Sequence, residues 1–331
     1  MKFICAILVV CIHCGPLLSI NKEANFFLVQ VCARTAVPFF FVASAFFFFK
    51  KLDYYLGLKD AYNIQLLKRY LFRIFKLYVV WSCVYLIVSA FTWVQDGFTI
   101  KTLFLYIRDF FFTGSYYHLW FLPAIIFSTL VIYYLLHKFS AKELLLVTCT
   151  FYFIGMFINV YGDFFNQIPI ISNFLSLYLK IFVTARNGLF FGLIYTYMGY
   201  FLARKTIPME WKSPFYRCVI CFVLLIGEVY FIRWLGYMND LTSMYIMLLP
   251  FMYYFFLTLM QFTSQKGIPL LRNASTLIYV SHILFTIIIG KIPFFTSNSL
   301  FYFGLVIIFS CLFSFGILIL SRKRKFLRVF Y

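Results

Sequence analysis

The stretch KFICAILVVCIHCGPLLSI, residues 2–20, is apolar almost throughout, and its few polar side chains stand out against that background. As a helix, residues 3–20 would cover close to the ~30 Å hydrocarbon thickness of a bilayer. Runs of this kind recur along all 331 residues, which are 64% apolar, 24% aromatic and only 12% charged. Soluble domains carry about a quarter charged residues, so the composition excludes a water-soluble globule. The runs do not alternate apolar with polar, which excludes a β-barrel. The expected fold class is all-α: a polytopic membrane protein of about ten transmembrane helices in a single domain, 1–331, with no soluble domain.

The expected spans are 3–20, 33–49, 77–95, 118–136, 143–161, 187–203, 215–235, 242–262, 274–290 and 299–320. Residues 168–185 are also apolar enough for a partial or re-entrant segment. The connections 50–76 and 96–117 read as amphipathic rather than loop-like. Lys2 ahead of an apolar run resembles the start of a secretion signal, but no small-residue cleavage site follows, so a retained first helix is expected.

A net charge of +19 would suggest nucleic acid in a soluble protein. Here it is read as cytoplasmic loops facing an anionic bilayer, with no nucleic acid partner. With the N-terminus inside, the cytoplasmic segments hold 21 of the 29 Lys and Arg, Lys266 among them, which predicts both termini in the cytoplasm. The nine cysteines fall mostly within apolar runs. Cys218-x-x-Cys221 and Cys11-x-His13-Cys14 have metal-like spacings. On a helix, however, residues 11 and 14 share a face that 13 does not, and no further ligand lies nearby. Packing is the expected role, and no metal is expected.

Ionisable groups inside a bilayer are costly and mark function by default. Lys2 and His13 lie three helical turns and about 20° apart, hence on one face, with about 16 Å between them along the axis. Gly15-Pro16 is expected to open the helix beside His13. In LLKRYLFRIFKLYVVWS, residues 66–82, Arg69, Arg73 and Lys76 form one basic stripe, suited either to lipid headgroups or to a polyanionic cytosolic ligand. Arg34, Arg186, Glu228 and Arg233 each need a partner at membrane depth. His118 (YYHLWFLPA) marks the outer end of the fourth span, and His282 (LIYVSHILF) lies within the ninth.

Taken in order, KFICAILVVCIH (2–13), RTAVPFFFVASAFFF (34–48), KRYLFRIFKLYVVWS (68–82), HLWFLPAII (118–126), RNGLFFGLIYTYMGYFLAR (186–204) and LIYVSHILF (277–285) resemble the integral-membrane acyltransferase-3 family of bacterial cell membranes. The resemblance implies transfer of an acyl group, commonly acetyl, from cytoplasmic acyl-CoA. Its acceptors are often hydroxyls of envelope glycans or lipid-linked saccharides. The family's basic residue ahead of an essential first-helix His maps to Lys2 and His13, although Lys replaces the usual Arg. Its arginine motif maps to Arg69 and Arg73 with the usual spacing not kept, and Ala45 stands where Gly is usual.

These implications assign Lys2, Arg69, Arg73 and Lys76 to the phosphates of acyl-CoA. His13 becomes the base or acyl carrier, with Lys2 and Glu228 as further catalytic candidates. Arg34, His118, Arg186 and His282 are acceptor-side candidates. The competing reading is a transporter or flippase for an envelope precursor, with Glu228 and the histidines as a proton relay.

Overall fold

Helix signals at the segment ends account for most of the observed boundaries. The structure, a computed structural model, describes residues 1–166, 168–205, 212–239, 241–262 and 268–331; Lys266 lies outside the described residues. It is 80% helical, with no strand among the described residues. In chain order the helices are α1 (Lys2–Cys14), α2 (Lys22–Phe49), α3 (Ala61–Asp96), α4 (Ile100–Phe112), α5 (Phe121–Leu135) and α6 (Ala141–Phe165). They continue with α7 (Pro169–Phe182), α8 (Leu193–Arg204), α9 (Lys212–Trp234), α10 (Leu248–Gln261), α11 (Pro269–Gly290) and α12 (Ser299–Lys323).

Asp60 caps α3 by accepting from the Tyr62 N–H, and Thr99–Thr102 and Ser140–Glu143 form capping boxes at α4 and α6. Proline occupies the first turn of α7 and α11, where its missing N–H costs nothing. α2 is not uniform: a π turn at Phe27–Cys32 and a 3-10 turn at Ala33–Thr35 interrupt it.

Among the described residues, six helices have the length and composition to cross a membrane: Lys22–Phe49, Ala61–Asp96, Ala141–Gly162, Lys212–Trp234, Pro269–Gly290 and Ser299–Lys323. α1, α5, α7 and α10 are shorter apolar helices. Phe72, Ile87, Phe91 and Val94 on α3 lie exposed on the protein surface, as do many other large apolar side chains. Such a surface suits lipid and not water, so the chain is a multi-pass membrane protein. The 168–185 segment is helical as α7, and the connection at 96–117 contains the amphipathic helix α4.

Two expectations about spans need correction. The first helix stops at Cys14 rather than running to residue 20. Gly15 takes φ +53°, a left-handed conformation that L side chains resist, and its N–H closes the helix on the Cys11 carbonyl. Gly-Pro therefore terminates the helix instead of opening its middle. The turn after it is fastened by Asn25, which accepts the Leu17 N–H at 3.1 Å, and by Ser299, which donates to the Pro16 carbonyl at 2.9 Å. The eighth segment, expected from 242, becomes helical only at Leu248.

The chain divides into two compact units. The first comprises residues 1–40, 207–229 and 246–331, and in it α1 packs against α11, α12 and the 27–35 part of α2. The second comprises 41–206 and 230–245, with α5, α6 and α8 packed together and α3 against α5. In this unit Ala45 is fully buried against Gly199, so a small partner accommodates the methyl group.

Candidate active site

In the first unit, the last turn of α1 carries His13, half-buried, while Cys11 and Cys14 beside it are buried in packing. The His13 ring lies against that of His282 on α11, with centroids 5.2 Å apart and planes inclined by 39°. His282 is fully buried, and its Nδ1 sits 2.8 Å from the Tyr279 carbonyl and 3.1 Å from that of Ile278. Carbonyls only accept, so Nδ1 must carry the hydrogen. In the neutral ring Nε2 is then the basic nitrogen. His282, expected on the acceptor side, instead meets the candidate catalytic histidine.

Arg34 is buried on the 3-10 turn of α2, in the segment that packs against α1. Its Nε donates to Gln30 Oε1 at 2.9 Å, and Gln30 is buried as well. Four residues apart, the two share one face, and the irregular turns that carry them are of a kind frequent at functional sites. Lys2 opens α1, so a continuous helix joins it to His13, about 16 Å apart along the axis.

Glu228 on α9 has a different use from the catalytic role expected for it. Its two carboxylate oxygens accept the N–H groups of Ile246 and Met247 at 2.6 and 2.7 Å, immediately before α10. The carboxylate thus caps the exposed donors of a helix start, where negative charge is favoured. Glu228→Gln replaces one acceptor oxygen with a donor that opposes an N–H. We expect a loss of about 2 kcal/mol, read as a melting temperature lowered by a few degrees in detergent-solubilised protein.

In the second unit, Arg69, Arg73 and Lys76 are all exposed along one side of α3, which leaves the basic stripe accessible. Twenty residues further along the same helix, about 30 Å away, Trp93 lines a cavity of about 560 Å³. Arg186 also lines it and lies over the Trp120 ring at 5.9 Å. His118 is not in the lining. It is buried behind Tyr116 and Tyr117, edge-on to Tyr85 at 4.7 Å, so the expected substrate contact becomes a place in an aromatic cluster. Gly114 turns the chain into this cluster at φ +90°, and a Cβ there would fall 2.5 Å from the Trp120 nitrogen.

Sequence reading missed the cavity's Arg108–Asp109 pair and its aromatic lining, although the run TGSYYHLW at 113–120 was a visible signal. Among the described residues, no three His, Cys, Asp or Glu side chains converge as a metal site requires.

Residues 1–319 match the family model described as "Acyltransferase domain". Among curated proteins the chain is 28% identical to an "Amino-acid racemase" of Enterococcus faecalis, over 80% of this chain and 36% of that protein. A second "Amino-acid racemase" of the same organism is 27% identical over 98% of this chain and 46% of its own length. A "Serine/alanine racemase" of Enterococcus gallinarum is 26% identical over 68% of this chain and 31% of its own. The chain thus spans less than half the length of these curated relatives. No solved structure matches it.

Proposed function

Since the chain belongs to the acyltransferase-3 family, we propose that it transfers an acyl group, acetyl in the simplest case, from cytoplasmic acyl-CoA to a hydroxyl of an envelope carbohydrate. On this reading the protein resides in a bacterial cell membrane with both termini in the cytoplasm. The observation that carries the reading beyond the family is the contact of His13 with His282. A half-buried imidazole held against a second, orientationally fixed imidazole suits a general base.

In direct transfer, His13 takes the proton of the acceptor hydroxyl as its oxygen attacks the thioester carbon. The carbon–sulfur bond then breaks, and the coenzyme A thiolate takes the proton from the imidazolium. In the two-step alternative, a His13 nitrogen attacks the thioester carbon, the carbon–sulfur bond breaks and the departing thiolate takes the imidazole proton. The acceptor hydroxyl then attacks the acyl-imidazole, and its proton returns to the imidazole as the carbon–nitrogen bond breaks. Arg69, Arg73 and Lys76 in the second unit, and separately Lys2 in the first, are candidates for contact with the donor's phosphates, with Arg better shaped than Lys for bidentate contact. Arg34 is a candidate for orienting polar groups on the first unit. Glu228 is assigned to structure.

His282 is the positioning residue of this account. His282→Asn keeps a polar N–H in the pocket but loses the ring that faces His13. We expect turnover to fall by about ten- to a hundredfold while KM for acyl-CoA stays near its normal value. Unchanged turnover would remove His282 from the mechanism.

The relatives' names favour one second reading, in which the acceptor is a hydroxyl-bearing amino acid such as serine. Incubating the purified protein with isotopically labelled acetyl-CoA, and comparing label recovered in saccharide and in serine, separates the two.

A further inference from the structure

α4 is built inside out for a water-soluble protein. Ile100, Leu103, Phe104, Ile107 and Phe111, spaced as one helical stripe, all face outward and are exposed. Thr102, Tyr106, Asp109 and Thr113 form the opposite stripe and line the cavity of about 560 Å³. An exposed stripe of that kind needs lipid beside it, whereas the stripe behind it needs a polar occupant. α7 repeats the pattern with Ile170, Phe174, Leu177 and Ile181 exposed on one side. The two helices are tied together, because Arg108 donates to the Lys180 carbonyl at 3.0 Å and Phe112 meets Phe182 edge-on. The cavity is therefore bounded on its α4 side by a helix that turns its apolar stripe outward and its polar stripe inward.

Its chemistry is specific. Trp93, Tyr106, Tyr116, Tyr117 and Trp120 line the cavity, although the Tyr106 hydroxyl donates to the Ser82 carbonyl at 3.1 Å and Tyr116 stacks on Tyr85. Two arginines, Arg108 and Arg186, stand against one carboxylate, Asp109, so the lining carries net positive charge. The side-chain hydrogen bonds of Asp109 fall on Oδ1: Arg108 Nη2 at 2.7 Å, Arg108 Nε at 3.0 Å and Thr113 Oγ1 at 2.9 Å. Oδ2 is left as an acceptor for hydroxyl donors. The volume is that of a small-molecule site and several times that of a free amino acid.

We propose that this cavity binds the acceptor, and that the acceptor is a saccharide unit bearing an anionic group, either carboxylate or phosphate. Aromatic faces take the apolar side of the sugar ring, Asp109 Oδ2 takes a ring hydroxyl, and Arg186 takes the anion. The word acceptor rests on the acyl-transfer reading of the preceding section. Binding of the sugar does not rest on it.

Trp93 and Trp120 provide the readout, since both line the cavity. Tryptophan fluorescence of the protein in detergent is titrated with glucuronic acid, glucose 1-phosphate, glucose and serine. The two acidic sugars are expected to bind about tenfold more tightly than glucose, the worth of one charge-assisted contact. Arg186→Gln should abolish that preference, and Arg186→Lys should keep most of it. The melting temperature in detergent should be unchanged in both variants, which establishes that they are folded. Equal binding of glucose and the acidic sugars overturns the proposal, as does a response to serine alone or to none of the four. Failure of acyl transfer from labelled acetyl-CoA is a separate readout, and it would overturn the reaction while leaving the sugar-binding result standing.

Discussion

Replacing His13 with alanine is expected to lower acyl transfer by about two to four orders of magnitude, the usual worth of a general base. The variant should still be found in the membrane, because His13 is only half-buried and the turn that follows is held by Asn25 and Ser299 rather than by the imidazole. Its affinity for acyl-CoA should be nearly normal, since the phosphates would be held by cationic groups elsewhere. If the acyl-imidazole route operates, the loss should include acyl-CoA hydrolysis in the absence of acceptor, because no carrier forms. If direct transfer operates, hydrolysis to water is the slow background in both proteins. Measuring transfer and hydrolysis together therefore distinguishes the two roles of one residue.

The second large effect is expected from Arg69→Ala with Arg73→Ala. Each guanidinium that pairs with a phosphate contributes about 1.5–3 kcal/mol, and exposure places these two at the low end. The pair should therefore raise KM for acyl-CoA by about a hundredfold, with turnover at saturation changed little. That pattern marks binding shared by ground and transition states. Wild-type KM should rise with salt, and the double variant should show a shallower dependence. A KM that does not move would return the stripe to the lipid headgroups, the other role open to exposed arginines at the end of a helix.

Much of the architecture was legible because lipid demands long apolar helices. The tenth expected span, 299–320, falls within α12, and the ninth, 274–290, within α11. Where reading failed, a distant contact decided the outcome. Gly15-Pro16 could have kinked a helix or ended it, and it ends one because Asn25 and Ser299 fasten the turn that follows. The start of α10 is displaced to Leu248, just after the two N–H groups that Glu228 caps from another helix. His13 stood out as an intramembrane imidazole, and His282 did too. Their contact joins helices from opposite ends of the chain, which no local spacing encodes. His118 looked like an interfacial ligand, yet it serves as packing for the tyrosines beside it. Asp109 escaped notice because a neighbouring Arg-Asp pair in an amphipathic segment resembles any solvated surface.

The central claim is that His13 performs acyl transfer from a coenzyme A thioester. The most direct test supplies purified protein in lipid nanodiscs with acetyl-CoA labelled in the acetyl group and a mixture of envelope saccharides. Label leaving coenzyme A is then compared between wild type and His13→Ala. The account predicts saccharide-bound label with the wild type and none above background with the variant, at equal binding of acetyl-CoA. Equal transfer by both proteins would contradict it.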